Sequence, residues 1–201
     1  LIGILISSTV FAQENGYDIK AKIKGINDGD TIYLANYFGK KLYYSDTAYS
    51  KGDEIRFTGD SLKGGKYAVV IPGVRYFEII VAEDKIEFET DADDFIDQMK
   101  IIKSDENKIF YDYVHFLRDK RLSVKPWEDS LKMMVGNGPE REEAVAKLRA
   151  VNTEVEQEQQ RIVTEYPDLL VTKFIYMSMP VAIPEAPKDE NGVITDSTFQ
   201  R

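Results

Sequence analysis

The sequence has no cysteine and one histidine among its 201 residues. Without cysteine, these residues can form no disulfide and carry no thiol chemistry. One histidine is too few for the usual histidine and cysteine zinc sites. Basic residues are also in the minority, since 26 lysines and arginines face 35 acidic residues and the net charge is −9. This balance argues against nucleic acid or an anionic membrane surface as the partner.

The motifs of common catalytic sites are missing as well. There is no G-x-S-x-G nucleophile turn and no G-x-x-x-x-G-K-[ST] phosphate loop. His115, counted in 100° steps along a predicted helix, projects opposite the apolar stripe, and we expect it to face solvent. An enzyme that acts through paired carboxylates stays open as an alternative, because acids are abundant, but no spacing marks a pair.

Two acidic turns could offer oxygen ligands to calcium, Asp28-Gly29-Asp30 and Asp91-Ala92-Asp93-Asp94. Neither matches the twelve-residue calcium loop, and aspartate is common at turns for local reasons. The sequence therefore predicts no catalytic, cofactor-binding or metal-ligating residue, and no cofactor.

The longest uncharged run lies at the start, LIGILISSTVFA. It is shorter than the roughly 20 apolar residues that a membrane-spanning helix needs. Val10-Phe11-Ala12 places small residues at the −3 and −1 positions of a cut before Gln13. We therefore interpret residues 1–12 as the remnant of a signal peptide, which predicts export to the periplasm or cell envelope and no membrane span in the mature chain. The alternative is a buried first strand.

Residues 17–104 predict a β domain. YDIKAKIKG alternates apolar and lysine residues, with the period of a half-buried strand. Turn signals then recur about every 10 residues, a spacing typical of a sandwich or barrel. They separate six further candidate strands: DTIYLANYF, LYYSDTAYS, EIRFTG, KYAVVIP, RYFEIIVA and KIEFETD. We expect an α+β fold whose N-terminal part is an antiparallel β-sandwich or partly open barrel and whose next part is helical.

Residues 105–180 predict that helical domain. Ser104 can cap a first helix, and Pro126 is expected to start a short second one. Pro139 then starts a long helix to Tyr166. The segment DLLVTKFIYMSM predicts a fourth helix that is apolar nearly all round and therefore buried. Residues 181–201 follow Pro180 and contain Pro184 and Pro187, and this composition predicts an extended linker.

The long helix has a thin apolar seam that Asn152 and Gln159 interrupt. Such a helix must pack on something, either on the first helix of the same chain or on a second copy. Its many glutamates would repel one another in a symmetric dimer. We therefore predict intramolecular packing, with Leu148 and Val155 buried.

Tyrosines concentrate in the second and third predicted strands, at Tyr33, Tyr37, Tyr43, Tyr44 and Tyr49. As an exposed surface they could bind a peptide or a sugar. Alternatively the rings cover the sheet, because tyrosine is a good strand residue. We favour the second interpretation.

Three segments carry a resemblance to a known family. They are G-x-x-x-G-D-x-I-x-L from Gly25, S-x-x-N-x-x-F-x-x-Y from Ser104, and Y-P-x-x-L followed by P-x-x-P from Tyr166. Their order over residues 17–201 resembles the N-terminal half of TlpA-like thioredoxin-family proteins, the thiol-disulfide interchange proteins of the bacterial cell envelope. The resemblance implies a β-rich domain of unknown function and a helical segment ahead of a thioredoxin-like domain.

That family's chemistry needs a C-x-x-C, which this sequence lacks, so no catalytic residue is carried over. The resemblance implies a non-catalytic N-terminal module, with the linker leading to an attached C-terminal thioredoxin-like domain. This module would position or recognise partners, with envelope proteins as possible substrates, and the parent protein would be a thiol-disulfide oxidoreductase. The alternative function is an envelope β-sandwich that binds a peptide or a glycan.

Overall fold

The computed structural model describes residues 16–73, 75–136, 138–181, 186–191, 193–195 and 199. The predicted signal segment, residues 1–12, lies outside the described residues. The strands are β1 (Tyr17–Lys24), β2 (Thr31–Phe38), β3 (Lys41–Tyr49), β4 (Glu54–Gly59), β5 (Gly65–Ile71), β6 (Arg75–Val81), β7 (Lys85–Asp91) and β8 (Lys100–Lys103). The helices are α1 (Asp105–Met133), α2 (Pro139–Glu165) and α3 (Leu170–Ser178).

The strands form two four-stranded sheets, in the orders β4-β1-β7-β8 and β3-β2-β5-β6. The predicted α+β fold, with strands first and helices after them, is confirmed, and each of the seven predicted strands is present. The eighth strand, β8, was not predicted from the sequence. One pair departs from the antiparallel pattern, because β1 runs parallel to β7, with Ile19 opposite Ile86.

The core lies between the two sheets. Along β1, Ile19, Ala21 and Ile23 are buried, whereas the lysines between them are exposed. The same alternation places Phe57 and Phe88 on the inner face of the first sheet, and Leu34 and Val69 on the inner face of the second. Burying each such large side chain contributes about 1.5–3 kcal/mol.

Helix α1 is one continuous helix that contains Pro126, so the prediction of a separate helix starting there is wrong. Proline removes only the hydrogen bond to the carbonyl of Leu122, four residues earlier. Leu122 is 62% exposed, so water can take the place of that bond. The predicted cap is present, since Ser104 Oγ accepts a hydrogen bond from the Asn107 amide at 3.0 Å.

Helix α2 folds back antiparallel on α1 within the same chain, as predicted, and Gln159 Nε2 donates to Tyr113 Oη at 2.8 Å. The detail differs, because Leu148 and Val155 are only half-buried and the buried residues of α2 are Ala144, Gln159 and Ile162. In the sequence, Gln159 interrupts the apolar seam of the long helix. In the structure, its side-chain amide donates to Tyr113 of α1, so it is a hydrogen-bonded part of the contact between α1 and α2.

Helix α3 completes the helical part with Val171 and Ile175, which pack with Ile80 of β6. Tyr176 and Met177 on its other side are exposed, so the prediction of a helix buried all round is wrong there. In the predicted linker, Lys188 and Ile194 form an isolated antiparallel bridge. No helix in the described ranges combines the length and the apolar content that crossing a bilayer requires.

Candidate binding surface

Asn107 fastens helix α1 to the outer edge of β6. Its fully buried amide accepts a hydrogen bond from Ile80 N at 2.8 Å and donates to Ile80 O at 2.7 Å. Tyr111 Oη donates to Glu78 O at 2.9 Å on the same edge. Because β6 is the last strand of its sheet, these side chains supply the partners that a further strand would otherwise provide.

Glu106 fastens α3 to α1. Its buried carboxylate accepts hydrogen bonds from the amides of Leu170 and Val171, both at 2.7 Å. Leu169, the N-cap residue of α3, offers no side-chain cap. A carboxylate from another helix therefore satisfies two amides at the positive end of α3.

We call Glu106, Asn107 and Tyr111 the joint. The segment that carries part of the family resemblance lies here, since Ser104 caps α1, Phe110 packs against both apolar clusters and Tyr113 accepts from Gln159. The joint was not predicted from the sequence. The available signal was a pair of polar residues, Glu106 and Asn107, directly before an apolar stripe. Their partners are distant in sequence, 64 positions away for Glu106 and 27 for Asn107.

A row of aromatic rings lies on the outer face of the β2–β3 hairpin. Strand alternation and register place Tyr33, Tyr37, Leu42 and Tyr44 on that face, opposite the buried Leu34. The rings of Tyr33 and Tyr44 stack, with centroids 4.2 Å apart and planes 10° apart. We call these four residues the tyrosine face.

Exposure decides between the two interpretations of these rings. Tyr33 and Tyr37 are half-buried and cover the sheet, as the favoured interpretation expects. That interpretation is wrong for Tyr43, Tyr44 and Tyr49, which are exposed, with Tyr44 at 63%. On the other face of the hairpin tip, Phe38 is 76% exposed and meets Tyr43 edge to face at 6.2 Å.

The polar groups beside the tyrosine face are bonded to one another. Glu78 accepts from Tyr37 Oη at 2.6 Å and from Lys66 Nζ at 2.9 Å, and Lys66 Nζ lies 5.3 Å from the centre of the Tyr37 ring. Burial, and then the hydrogen bond to the Glu78 carboxylate, raise the pKa of Tyr37 well above its ordinary value. Tyr37 therefore stays protonated and holds its ring in place.

The hairpin tip carries positive charge. Gly39 takes a φ of +60°, a conformation that suits glycine in a tight turn, and Lys40 and Lys41 follow it, both exposed. None of the ion pairs in the described part of the chain involves either lysine. The exposed aromatic rings of the tip thus lie next to two cations.

The free edge of β3, the last strand on its side of the sheet, is protected against pairing with another strand. Asp46 Oδ1 accepts from the Thr47 amide at 2.7 Å, and Oδ2 accepts from Tyr17 Oη at 2.7 Å. The register also shifts between Leu34 and Ala35, which leaves Ser45 as an extra residue in β3. An inward carboxylate and a bulge are devices that hinder the addition of another strand.

His115 is half-buried, which corrects the expectation that it faces solvent. Its Nε2 lies 2.7 Å from Ile96 O, so it ties α1 to the segment between β7 and β8. It also lines a cleft of about 770 Å³ that includes Glu83 and Lys108. Sequence periodicity placed His115 away from the helical cluster but could not show that another segment lies there.

The aspartates of the acidic turns considered for calcium form hydrogen bonds and an ion pair within the protein. Asp28 Oδ1 accepts from the Gly52 amide and Asp30 Oδ2 from the Asn27 amide, both at 2.8 Å. Asp91 pairs with Lys24 at 3.0 Å and accepts from the Asp93 amide. The structure thus gives these carboxylates roles in turns.

The β region and the start of α1 resemble a known family model. Residues 17–110 match the model of a domain of unknown function, DUF4369. The matched DUF4369 segment spans all eight strands described above and includes Glu106 and Asn107 of the joint. No curated protein matches the chain.

Proposed function

We propose that the chain is a non-catalytic module of an exported TlpA-like thiol-disulfide interchange protein, which positions or recognises partners for an attached thioredoxin-like domain. The joint is the observation that carries this proposal. It fixes the helical part to the β-sandwich, so the end of α3, from which the predicted linker starts, has a defined place relative to the tyrosine face. The resemblance of three sequence segments to that family, and the match of residues 17–110 to a domain of unknown function, support it.

Each hydrogen bond of the joint is short, and the three side chains that make them are buried. Asn107 is fully buried and occupies both backbone groups of Ile80, and Glu106 holds the first turn of α3 with two hydrogen bonds. Buried hydrogen bonds of this kind specify one arrangement, because every alternative leaves polar groups without partners. A module that positions another domain needs this rigidity.

Export is part of the proposal. The apolar run of residues 1–12 and the small residues Val10 and Ala12 support a cleaved leader. Sequencing the N-terminus of the protein from a periplasmic fraction should give a start at or near Gln13. A mature protein that keeps Leu1–Ala12 would contradict export by cleavage.

The first test is the coding sequence on both sides of this segment, together with an activity assay of its complete product. We expect a C-x-x-C in a domain beyond Arg201 and insulin reduction by the complete protein. The 201-residue chain alone should show none, because it has no cysteine. A stop codon directly after Arg201 would contradict the proposal.

The second test concerns positioning. In the complete protein, Asn107→Leu should slow the reduction of a folded protein disulfide more than that of a small aromatic disulfide, since only the former needs the module. Asn152→Leu, the same change on the exposed side of α2, is the matched control. Equal effects on both substrates would mean that the joint serves stability alone.

A second candidate function is an envelope module that binds a peptide or a glycan without a redox domain. The exposed ring of Tyr44 favours it. Ligand binding by a protein whose coding sequence ends at this segment would support this candidate over the first.

A further inference from the structure

We propose that the tyrosine face, together with Lys40 and Lys41, binds extended polypeptide segments that combine apolar and acidic side chains. This inference rests on the proposed function, because it names the partner that the module would recognise. The hairpin tip projects with exposed apolar rings on both faces, Tyr44 on one and Phe38 and Tyr43 on the other.

The rings offer a preformed apolar contact. Tyr33 is half-buried and stacks on Tyr44, so the Tyr44 ring is supported from below while most of it stays exposed. A ring held by stacking loses little conformational entropy on binding, which favours its use as an anchor. Leu42 extends the contact towards the tip, where it is 37% exposed.

The polar groups argue for a polypeptide rather than a glycan. Sugar hydroxyls need free donors and acceptors around an aromatic platform, but Tyr37, Lys66 and Glu78 already bond to one another. Asp46 on the hairpin is also bonded, to Tyr17 and to the Thr47 amide. Away from Lys40 and Lys41 at the tip, the face therefore offers mainly apolar surface, which suits apolar side chains.

Charge complementarity gives the sign of the partner. The chain carries a net charge of −9, yet the tip presents Lys40 and Lys41 with no ion pair among the described residues. Acidic side chains close to the bound apolar residues would meet these cations and speed the encounter. A basic peptide would be repelled at the tip.

The protected edge of β3 argues against a ligand that binds as an added strand. Asp46 occupies the Thr47 amide and the bulge at Ser45 disturbs the register, so a ligand cannot simply extend the sheet along β3. The same features hinder pairing with the β3 edge of a second copy. Recognition therefore uses side chains on the face of the hairpin, and a partner needs no fixed register.

The test is fluorescence anisotropy with the 201-residue chain and labelled synthetic peptides of about 15 residues, a length that spans the hairpin face when extended. One peptide alternates phenylalanine or valine with aspartate or glutamate, and its partner has lysine at every acidic position. We expect the acidic peptide to bind and the basic one to bind about tenfold more weakly at low salt, with the difference shrinking in 0.5 M salt. Equal binding of the two peptides, or no binding of the acidic one, would overturn the proposal.

Matched variants locate the site. Tyr44→Ala should weaken binding about fivefold, whereas Tyr176→Ala on α3, where the ring is similarly exposed at 64%, should leave it unchanged. Lys40→Glu with Lys41→Glu should weaken binding about tenfold at low salt. Lys147→Glu with Lys173→Glu changes the net charge equally at two other exposed positions and should have a much smaller effect.

Other occupants give distinct results. Displacement of the acidic peptide by a neutral glucose oligosaccharide, with loss of oligosaccharide binding in Tyr44→Ala, would assign the face to glycans and overturn the proposal. A dimer by light scattering that becomes a monomer in Tyr44→Ala would assign it to a second copy and also overturn it. Because the joint is tested by Asn107→Leu in the complete protein, failure of peptide binding leaves that separate test of positioning unchanged.

Discussion

Asn107 has a role that depends on a contact with a distant part of the sequence. Its amide bonds to the amide nitrogen and the carbonyl oxygen of Ile80 and donates to Ser104 Oγ at 2.8 Å. One small side chain thus completes the edge of β6. Sequence reasoning placed Asn107 in the first turn of a helix correctly, but it could not see that the helix end lies against a strand edge.

Replacing Asn107 with leucine keeps the volume and removes the hydrogen bonds. The two backbone groups of Ile80 would remain buried without partners, at about 1–3 kcal/mol each, so we expect a loss of about 3 kcal/mol in the free energy of unfolding. Urea denaturation followed by circular dichroism measures it. The exposed Asn152→Leu should change stability by less than about 0.5 kcal/mol. Similar losses for both variants would show that the Ile80 contacts contribute little.

Gly59 shows a different residue-scale constraint. A Cβ at this position would lie 2.6 Å from the nearest ring carbon of Tyr17, whose hydroxyl reaches Asp46 on the other sheet. Glycine is therefore required here because the Tyr17 ring lies so close to the backbone. The position of Gly59 at the end of the predicted strand EIRFTG gives no sign of this contact. The Tyr17 bridge that explains it spans 29 positions of sequence.

At the scale of elements, Glu106 determines how α3 is held. Glu106→Gln keeps the side-chain shape but replaces one accepting oxygen with an amide that donates, which then faces an amide of α3. We expect about 2 kcal/mol of destabilisation, within the range for hydrogen bonds to charged groups, and faster hydrogen exchange in α3 than in α2. Exposed Glu156→Gln is the control. Unchanged exchange rates in α3 would contradict the assigned role.

The α1–α2 pair gives a second element-scale prediction. Leu148 is half-buried, so Leu148→Ala should cost about 1–2 kcal/mol, less than the usual loss for a fully buried leucine. Ile162, which is 1% exposed, should cost about 3 kcal/mol when changed to alanine.

Thermal unfolding at several protein concentrations checks the assumption behind these two values. The melting temperature should not depend on concentration, because the helices pack within one chain. If it rises with concentration, and Leu148→Ala removes that rise, then α2 contacts a second copy.

The elements also show what a sequence can predict. Strands with clear alternation, such as β1, and helices with proline at the start, such as α2, were predicted almost to the residue. β8 was missed because KIIK is four residues long and has no alternation to mark it. Pro126 was taken as a boundary because local rules treat proline as a helix breaker, while the length of α1 depends on its packing against α2.

The residues of the candidate surface were predicted from the sequence, but the exposure of each ring was not. The sequence identified the tyrosines of β2 and β3 and both of their possible roles. Which rings are exposed depends on where the helical part covers the second sheet, and that part packs on Ile80 of β6 rather than on the hairpin. Such information lies in the tertiary contacts between distant segments.

At the scale of the whole molecule, tyrosines determine the response to alkali. Burial raises the pKa of five of the 12 tyrosines: Tyr17, Tyr37, Tyr67, Tyr111 and Tyr113. A group whose pKa is raised on folding stabilises the fold below its unfolded pKa, here about 10, and loses that contribution as pH rises further. We therefore expect stability to fall above pH about 10.

Absorbance of tyrosinate in the near ultraviolet measures this. The five tyrosines whose pKa is raised should ionise only together with the loss of circular dichroism. Tyr111→Phe lowers stability at neutral pH by removing the hydrogen bond to Glu78 O, but it should make the fall in stability above pH about 10 shallower, because one group that ionises on unfolding is gone. Tyr176→Phe, an exposed control, should not change this fall. Ionisation of these five tyrosines while the circular dichroism of the fold is intact would contradict the expectation.

The parallel pairing of β1 with β7 has a consequence for the order of folding. β1 is the first described strand and lies between β4 and β7 in its sheet. Lys24 of β1 bonds to Asp91 of β7, which is 67 positions later in the sequence. A chain that emerges N-terminus first can pair β1 with β4 early, but the other side of β1 stays open until β7 has been made. Long-range closure of this kind slows folding. A nascent chain stalled before β7 would keep Ile19 and Ile23 without the cover of Phe88, and it would be a natural target for chaperones.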